Sequence, residues 1–115
     1  KTTHSRWFSD TFDYQHNTLA QQTIQSLSTT EAKGYANACR ALADADVLHE
    51  LPQLKIPTFI ICGSKDPVTT VEDGEFIKEH VLKGEIAILA ASHLSNIECP
   101  DEFSQLLEVF IEKNQ

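Results

Sequence analysis

Ile56-Pro57-Thr58-Phe59-Ile60-Ile61-Cys62-Gly63-Ser64-Lys65-Asp66-Pro67 is the stretch whose reading decides the fold. A proline opens it, a continuous apolar run follows, and Gly63 ends the run. Such a run between Pro and Gly reads as a strand buried on both faces, the pattern of parallel sheets. Asp66 then stands just beyond the strand's C-terminal end, where open α/β sheets bind their ligands. A second apolar run, Ile86 to Leu89, is followed by His93 in a similar setting.

Between the two runs, Thr69 and Thr70 precede Glu72 and Asp73, a capping-box pattern that starts a helix. Phe76, Ile77, His80 and Val81 continue one face of it, and Gly84 is placed to stop it. Downstream, Pro100 opens another helix, as proline does at a first helical position. Phe103, Leu106, Leu107, Phe110 and Ile111 give that helix the clearest apolar stripe in the chain. The order strand, helix, strand, helix implies parallel strands joined by right-handed crossovers. The fold class is α/β: two parallel strands with flanking helices.

Upstream the character changes. Trp7, Phe8 and Phe12 cluster near the start, with no cap or leader before them, which suggests a fragment. Leu19, Thr23, Ile24 and Leu27 predict a helix over 18–27, and Tyr35, Cys39 and Leu42 a second over about 31–43. Both carry narrow apolar stripes and read as a layer laid over something else. The chain therefore divides near Asp44, into residues 1–43 and 44–115. Two parallel strands cannot cover their own faces or outer edges. Such a piece belongs to a longer chain, or it associates through an exposed sheet edge.

Composition narrows the function. The 115 residues hold 9 basic and 17 acidic side chains, a net charge of −8. Nucleic acid and anionic membrane both demand a basic face, so neither is expected as a partner. No apolar run approaches a bilayer span, and Lys1-Thr2-Thr3-His4 begins no signal peptide. Cys39, Cys62 and Cys99 are odd in number and widely spaced, as in reduced cytoplasmic proteins. No two cysteines stand at metal-ligand spacing. Cys62, inside an apolar strand, reads as a small core residue.

Asp66 and His93 each follow a predicted strand, and adjacent parallel strands would bring those ends together. A carboxylate bonded to one imidazole nitrogen fixes the tautomer and leaves the other nitrogen to take a proton from a nucleophile. Asp before His is also the order of an α/β-hydrolase, where the serine comes earlier. Taken alone, Asp66 could equally be a turn residue and His93 a capping or core residue.

The surrounding residues resemble a known family. Gly34-Tyr35-Ala36, Asp44-Ala45-Asp46, Ile56-Pro57, Gly63-Ser64-Lys65-Asp66-Pro67-Val68-Thr69-Thr70 and Ala91-Ser92-His93-Leu94-Ser95-Asn96-Ile97-Glu98 look like the C-terminal part of 3-oxoadipate enol-lactonase. The resemblance runs over nearly the whole chain. It implies the C-terminal part of an α/β-hydrolase core at 44–115, preceded by a partial helical cap at 1–43. It implies hydrolysis of the enol-lactone of 3-oxoadipate to 3-oxoadipate in aromatic catabolism, without a cofactor. Carried over by position, Asp66 is the triad acid and His93 the triad base. The family's nucleophile stands in a Gly-x-Ser-x-Gly elbow, and that pattern does not occur here. Ser64, Ser92 and Ser95 do not replace it. The chain alone is therefore expected to be inactive and to need the missing half of the hydrolase. Another ester or lactone hydrolase, or a non-catalytic module that associates through its sheet edge, stand as alternatives.

Other residues carry two readings each. Trp7 packs the cap onto the core or lines the substrate pocket. Arg6 is solvated or meets a substrate carboxylate. Leu94, beside the histidine, touches substrate. Ser95 and Asn96 hold the histidine loop by local hydrogen bonds. Glu98 serves a helix start. His4, His16, His49 and His80 have no partner at useful spacing and read as surface or helix-face residues.

Overall fold

A computed structural model describes residues 4–115. Lys1, Thr2, Thr3 and the side chain of His4 lie outside the described residues, and with them the readings of the N-terminal stretch and of His4. The decisive stretch forms β1 (Thr58–Gly63), and the second apolar run forms β2 (Gly84–Leu89). They pair in parallel, with Thr58 opposite Gly84, Ile60 opposite Ile86 and Gly63 opposite Leu89. Among the described residues the sheet has these two strands only.

Helices precede and flank the strands: α1 (His4–Trp7), α2 (Thr18–Thr29), α3 (Ala32–Asp44), α4 (Val71–His80), α5 (Ser95–Glu98) and α6 (Pro100–Lys113). A 3-10 segment, Leu48–Gln53, leads into β1. The capping box forms as its spacing predicts. Thr70 Oγ1 accepts from the Asp73 amide at 3.3 Å, and Asp73 Oδ2 accepts from the Thr70 amide at 2.8 Å. Pro100 takes the first helical position of α6.

The crossover helix α4 lies on one face of the sheet. It approaches so closely that a Cβ at Gly74 would overlap Cys62 Sγ and touch Ile86 and Ile60 at 3.2 and 3.3 Å. Glycine at that position is a packing requirement. It also explains Cys62, which is a buried core residue as expected. On the other face, Phe110 of α6 stacks on Phe59 with ring centroids 5.0 Å apart.

Several expectations need correction. Gly84 does not stop α4. The helix ends at His80 with Val81 as cap, and Gly84 begins β2, its backbone pressed to the carbonyl of Lys78. No described residue has the positive φ that a glycine cap supplies. The strand β1 is not buried on both faces. Thr58 to Ile61 are half-buried, and only Cys62 and Gly63 are buried. A sheet of two strands leaves surface uncovered beside each of them. The stripe of α2 is also displaced. Ala20 is the buried residue, while Leu19 is 52% exposed. No residue of α3 is buried, and Leu42 is 79% exposed.

His16, His49 and His80 are exposed, as expected, but each has a partner. His16 pairs with Asp13 at 2.8 Å, His49 lies 3.8 Å from Glu50, and His80 bonds the Phe76 carbonyl at 2.7 Å. Partners one to four residues away follow from local turn and helix geometry.

Candidate active site

The in-phase ladder places the two strand ends side by side, and each continues into a tight loop. After β1, the Ser64 amide donates to the Leu89 carbonyl at 2.8 Å and the Lys65 amide to the Ala91 carbonyl at 2.9 Å. The two loops therefore stay zipped beyond the sheet. A Cβ on Gly63 would collide with the carbonyl oxygens of Ala91 and Ser92. The glycine that ends the apolar run is what lets the loops approach.

This closeness joins Asp66 to His93. Asp66 Oδ2 accepts a hydrogen bond from His93 Nδ1 at 2.8 Å. The Asp66 side chain is 4% exposed and the His93 side chain 33%. The carboxylate accepts three further bonds: at Oδ1 from the Val68 amide at 2.7 Å and the Thr69 amide at 3.2 Å, and at Oδ2 from Thr69 Oγ1 at 2.8 Å. Burial acts to raise the Asp66 carboxyl pKa and is the largest single influence. The bond from His93, then those from Val68 and Thr69, outweigh it and hold the group below its ordinary value. The carboxylate is thus ionised at neutral pH. Whenever the imidazole is neutral, this charge holds the hydrogen on Nδ1 and leaves the lone pair on Nε2. Among the described residues nothing bonds Nε2. A cleft of about 240 Å³ passes the pair and is lined by Ile60, Cys62, Thr70, Ile77 and Ser95 among others.

Trp7 and Leu94 lie near the pair but in another environment. Both are half-buried and pack on a cluster of Phe8, Ala20 and Ile97, joined by Phe12, Tyr14 and Ile24. The Leu94 amide also donates to the Trp7 carbonyl at 2.9 Å. Arg6 is exposed, and its carbonyl accepts from Ser92 Oγ at 3.1 Å.

Among the described residues no serine hydroxyl bonds His93. Ser92 is buried, its hydroxyl donating to the carbonyls of Arg6 and Lys65. Ser64 is exposed in the turn after β1, and Ser95 opens α5. Cys62 is no substitute, since burial and then the nearby Asp66, Asp73 and Glu75 push its thiol pKa up.

The roles of two residues at the site escaped the sequence reading. Thr69 gives Asp66 two bonds, and its signal was the Asp-Pro-Val-Thr turn, in which an aspartate captures donors two and three residues on. Glu98 stands in the first turn of α5 and just before the cap of α6, as expected, but it also has a second role. Its carboxylate turns back to accept from the Ser92 amide at 3.0 Å and from the Ser9 amide at 3.2 Å, and it bonds Ser9 Oγ. Ser9 lies 89 residues away, a separation that carries no local signal.

A parallel strand pair with an Asp–His couple at the strand ends is the ending of an α/β-hydrolase, and known structures agree. An α/β-hydrolase from a Medee basin deep-sea metagenome library aligns over 61% of this chain and 26% of its own, with 30% identity and a TM-score of 0.58. Within that class the likeness narrows to enol-lactonases. The enol-lactonase of Burkholderia xenovorans LB400 aligns over 93% of this chain and 41% of its own, at 29% identity and a TM-score of 0.88. The 3-oxoadipate enol-lactonase 1 of Acinetobacter baylyi is 56% identical over 114 residues, which is 99% of this chain and 43% of that protein. No protein-family model matches the chain. The chain thus has the fold of a C-terminal α/β-hydrolase portion and resembles the 3-oxoadipate enol-lactonases, spanning under half their length. None of the described helices is long and apolar enough to cross a membrane.

Proposed function

We propose that this chain supplies the acid–base half of a lactone hydrolase, with Asp66 as triad acid and His93 as triad base. The observation that carries the reading is the 2.8 Å bond between His93 Nδ1 and a buried, ionised Asp66, which leaves Nε2 as the proton acceptor. The rest of the protein, with which residues 44–115 complete the sheet, contributes a serine in a Gly-x-Ser-x-Gly elbow and the oxyanion donors. Residues 1–43 form part of a cap, and Trp7 and Leu94 border the substrate from that side. The substrate is the enol-lactone of 3-oxoadipate, and the enzyme acts in the cytoplasm.

The chemistry follows from the geometry. His93 Nε2 takes the serine proton as Oγ bonds to the lactone carbonyl carbon. The ring C–O bond then breaks, and the imidazolium returns its proton to the departing enol oxygen. Water repeats the cycle on the acyl-enzyme and releases the acid. The Asp66 charge stabilises the imidazolium in both halves. Without a serine, His93 has nothing to activate, and the chain alone does not turn over substrate.

The test compares enol-lactone hydrolysis by the 115-residue chain with that by the full product of its gene. The full product is expected to be active, the chain inert, and His93→Ala in the full product to lower kcat about 10⁴-fold. Activity that survives His93→Ala overturns the reading. A second reading, association through the sheet, is favoured by the outer edges of β1 and β2, which are unpaired among the described residues. Size-exclusion chromatography of the chain decides it, since a monomer across the concentration range rules it out.

A further inference from the structure

We propose that Glu98 is a positioning residue for His93, fastening the segment after α1 to the backbone that carries the imidazole. This rests on the acid–base reading of Asp66 and His93. The loop holding His93 is fixed on both sides of the histidine. Before it, the Ser92 amide donates to Glu98 Oε2 at 3.0 Å, and Ser92 Oγ donates to the Arg6 and Lys65 carbonyls at 3.1 and 3.3 Å. After it, the Leu94 amide donates to the Trp7 carbonyl at 2.9 Å. The same Glu98 carboxylate takes the Ser9 amide at 3.2 Å and the Ser9 hydroxyl. Ser9 and Ser92 are 7% and 2% exposed, so water does not readily replace Glu98 as acceptor for their amides. A single carboxylate therefore serves two buried backbone donors on segments far apart in sequence, and one of them directly precedes His93. Removing it orphans both donors and frees the loop to rotate away from Asp66.

The first measurement is made on the chain itself and needs no activity. Histidine ring ¹⁵N spectra report the His93 tautomer, and amide exchange reports Ser9 and Ser92, with Ile60 and Ala87 as sheet controls. Glu98→Ala is expected to speed exchange at Ser9 and Ser92 about tenfold or more with the controls unchanged. It is also expected to shift the His93 ring from Nδ1–H toward a mixture of tautomers. Glu98→Gln keeps one acceptor oxygen and should fall between wild type and Glu98→Ala; it decides the matter alone if the alanine variant does not fold. An unaltered His93 ring in a folded variant overturns the proposal, even if Ser92 exchange rises, because Glu98 would then be a loop staple only. In the full gene product, Glu98→Ala should lower kcat with KM nearly unchanged. If His93→Ala leaves hydrolysis intact, the acid–base reading fails while the ring and exchange data still judge Glu98 separately.

Discussion

Replacing Asp66 by asparagine changes little in shape and reverses a donor. Two of the four bonds survive, because the amide oxygen can still accept from the Val68 and Thr69 amides at 2.7 and 3.2 Å. The other two face an NH₂ group, which cannot accept from Thr69 Oγ1 or from His93 Nδ1–H, both now 2.8 Å away. The hydroxyl can turn; the imidazole must change tautomer and give up its lone pair at Nε2. Hydrogen bonds to a charged group contribute about 1.5–3 kcal/mol each and neutral ones about 1 kcal/mol. Two bonds lost and two weakened, offset by the easier burial of a neutral amide, give a net loss of about 2 kcal/mol. For a domain of this size that is a fall in Tm of roughly 8 °C.

The pH dependence has a definite sign. The Asp66 carboxyl is depressed in the folded chain. Its stabilisation is therefore present above the unfolded carboxyl pKa of about 3.9 and is lost as pH falls through the lower folded value. Urea unfolding followed by circular dichroism should show the full gap between wild type and Asp66→Asn at pH 7, and a shrinking gap in acid. An equal gap at pH 7 and well below pH 3.9, or a His93 ring that stays Nδ1–H in the variant, refutes the reasoning.

Two more predictions concern packing and surface charge. Gly74→Ala should destabilise by about 1–3 kcal/mol in urea melts, because its Cβ meets Cys62 Sγ, and adding Cys62→Ala should recover part of that loss. Lys113→Ala breaks a 2.8 Å pair with Glu85 whose side chains are 61% and 43% exposed, so its effect should stay under about 1 kcal/mol and vanish in high salt.

The core of the fold was legible where local chemistry and pattern coincide. Proline at the start of α6, the Thr70–Asp73 box and the two apolar runs each state a structure within a few residues. Asp66 and His93 were legible for the same reason, since both hang from strand ends. Burial was less so. The stripe of α2 pointed to Leu19, but close packing against Phe8 selected small Ala20, a choice that only tertiary distance makes. Gly84 looked like a helix stop because glycine often is one; here it is a strand's first residue under a helix carbonyl. Glu98 was illegible in principle, as its partners are set by how the chain returns on itself.

The ladder between β1 and β2 has a metrological side. Consecutive residues along a strand are spaced by about 3.3 Å, which exceeds the whole 2.8 Å reach of the Asp66–His93 bond. A slip of one residue would carry the imidazole out of range and turn its loop toward the opposite face. The bond can close in one alignment of the strands only. A protein whose His93 Nδ1–H is bonded to Asp66 has thereby registered its sheet to a single residue, and the couple doubles as a built-in gauge of correct folding.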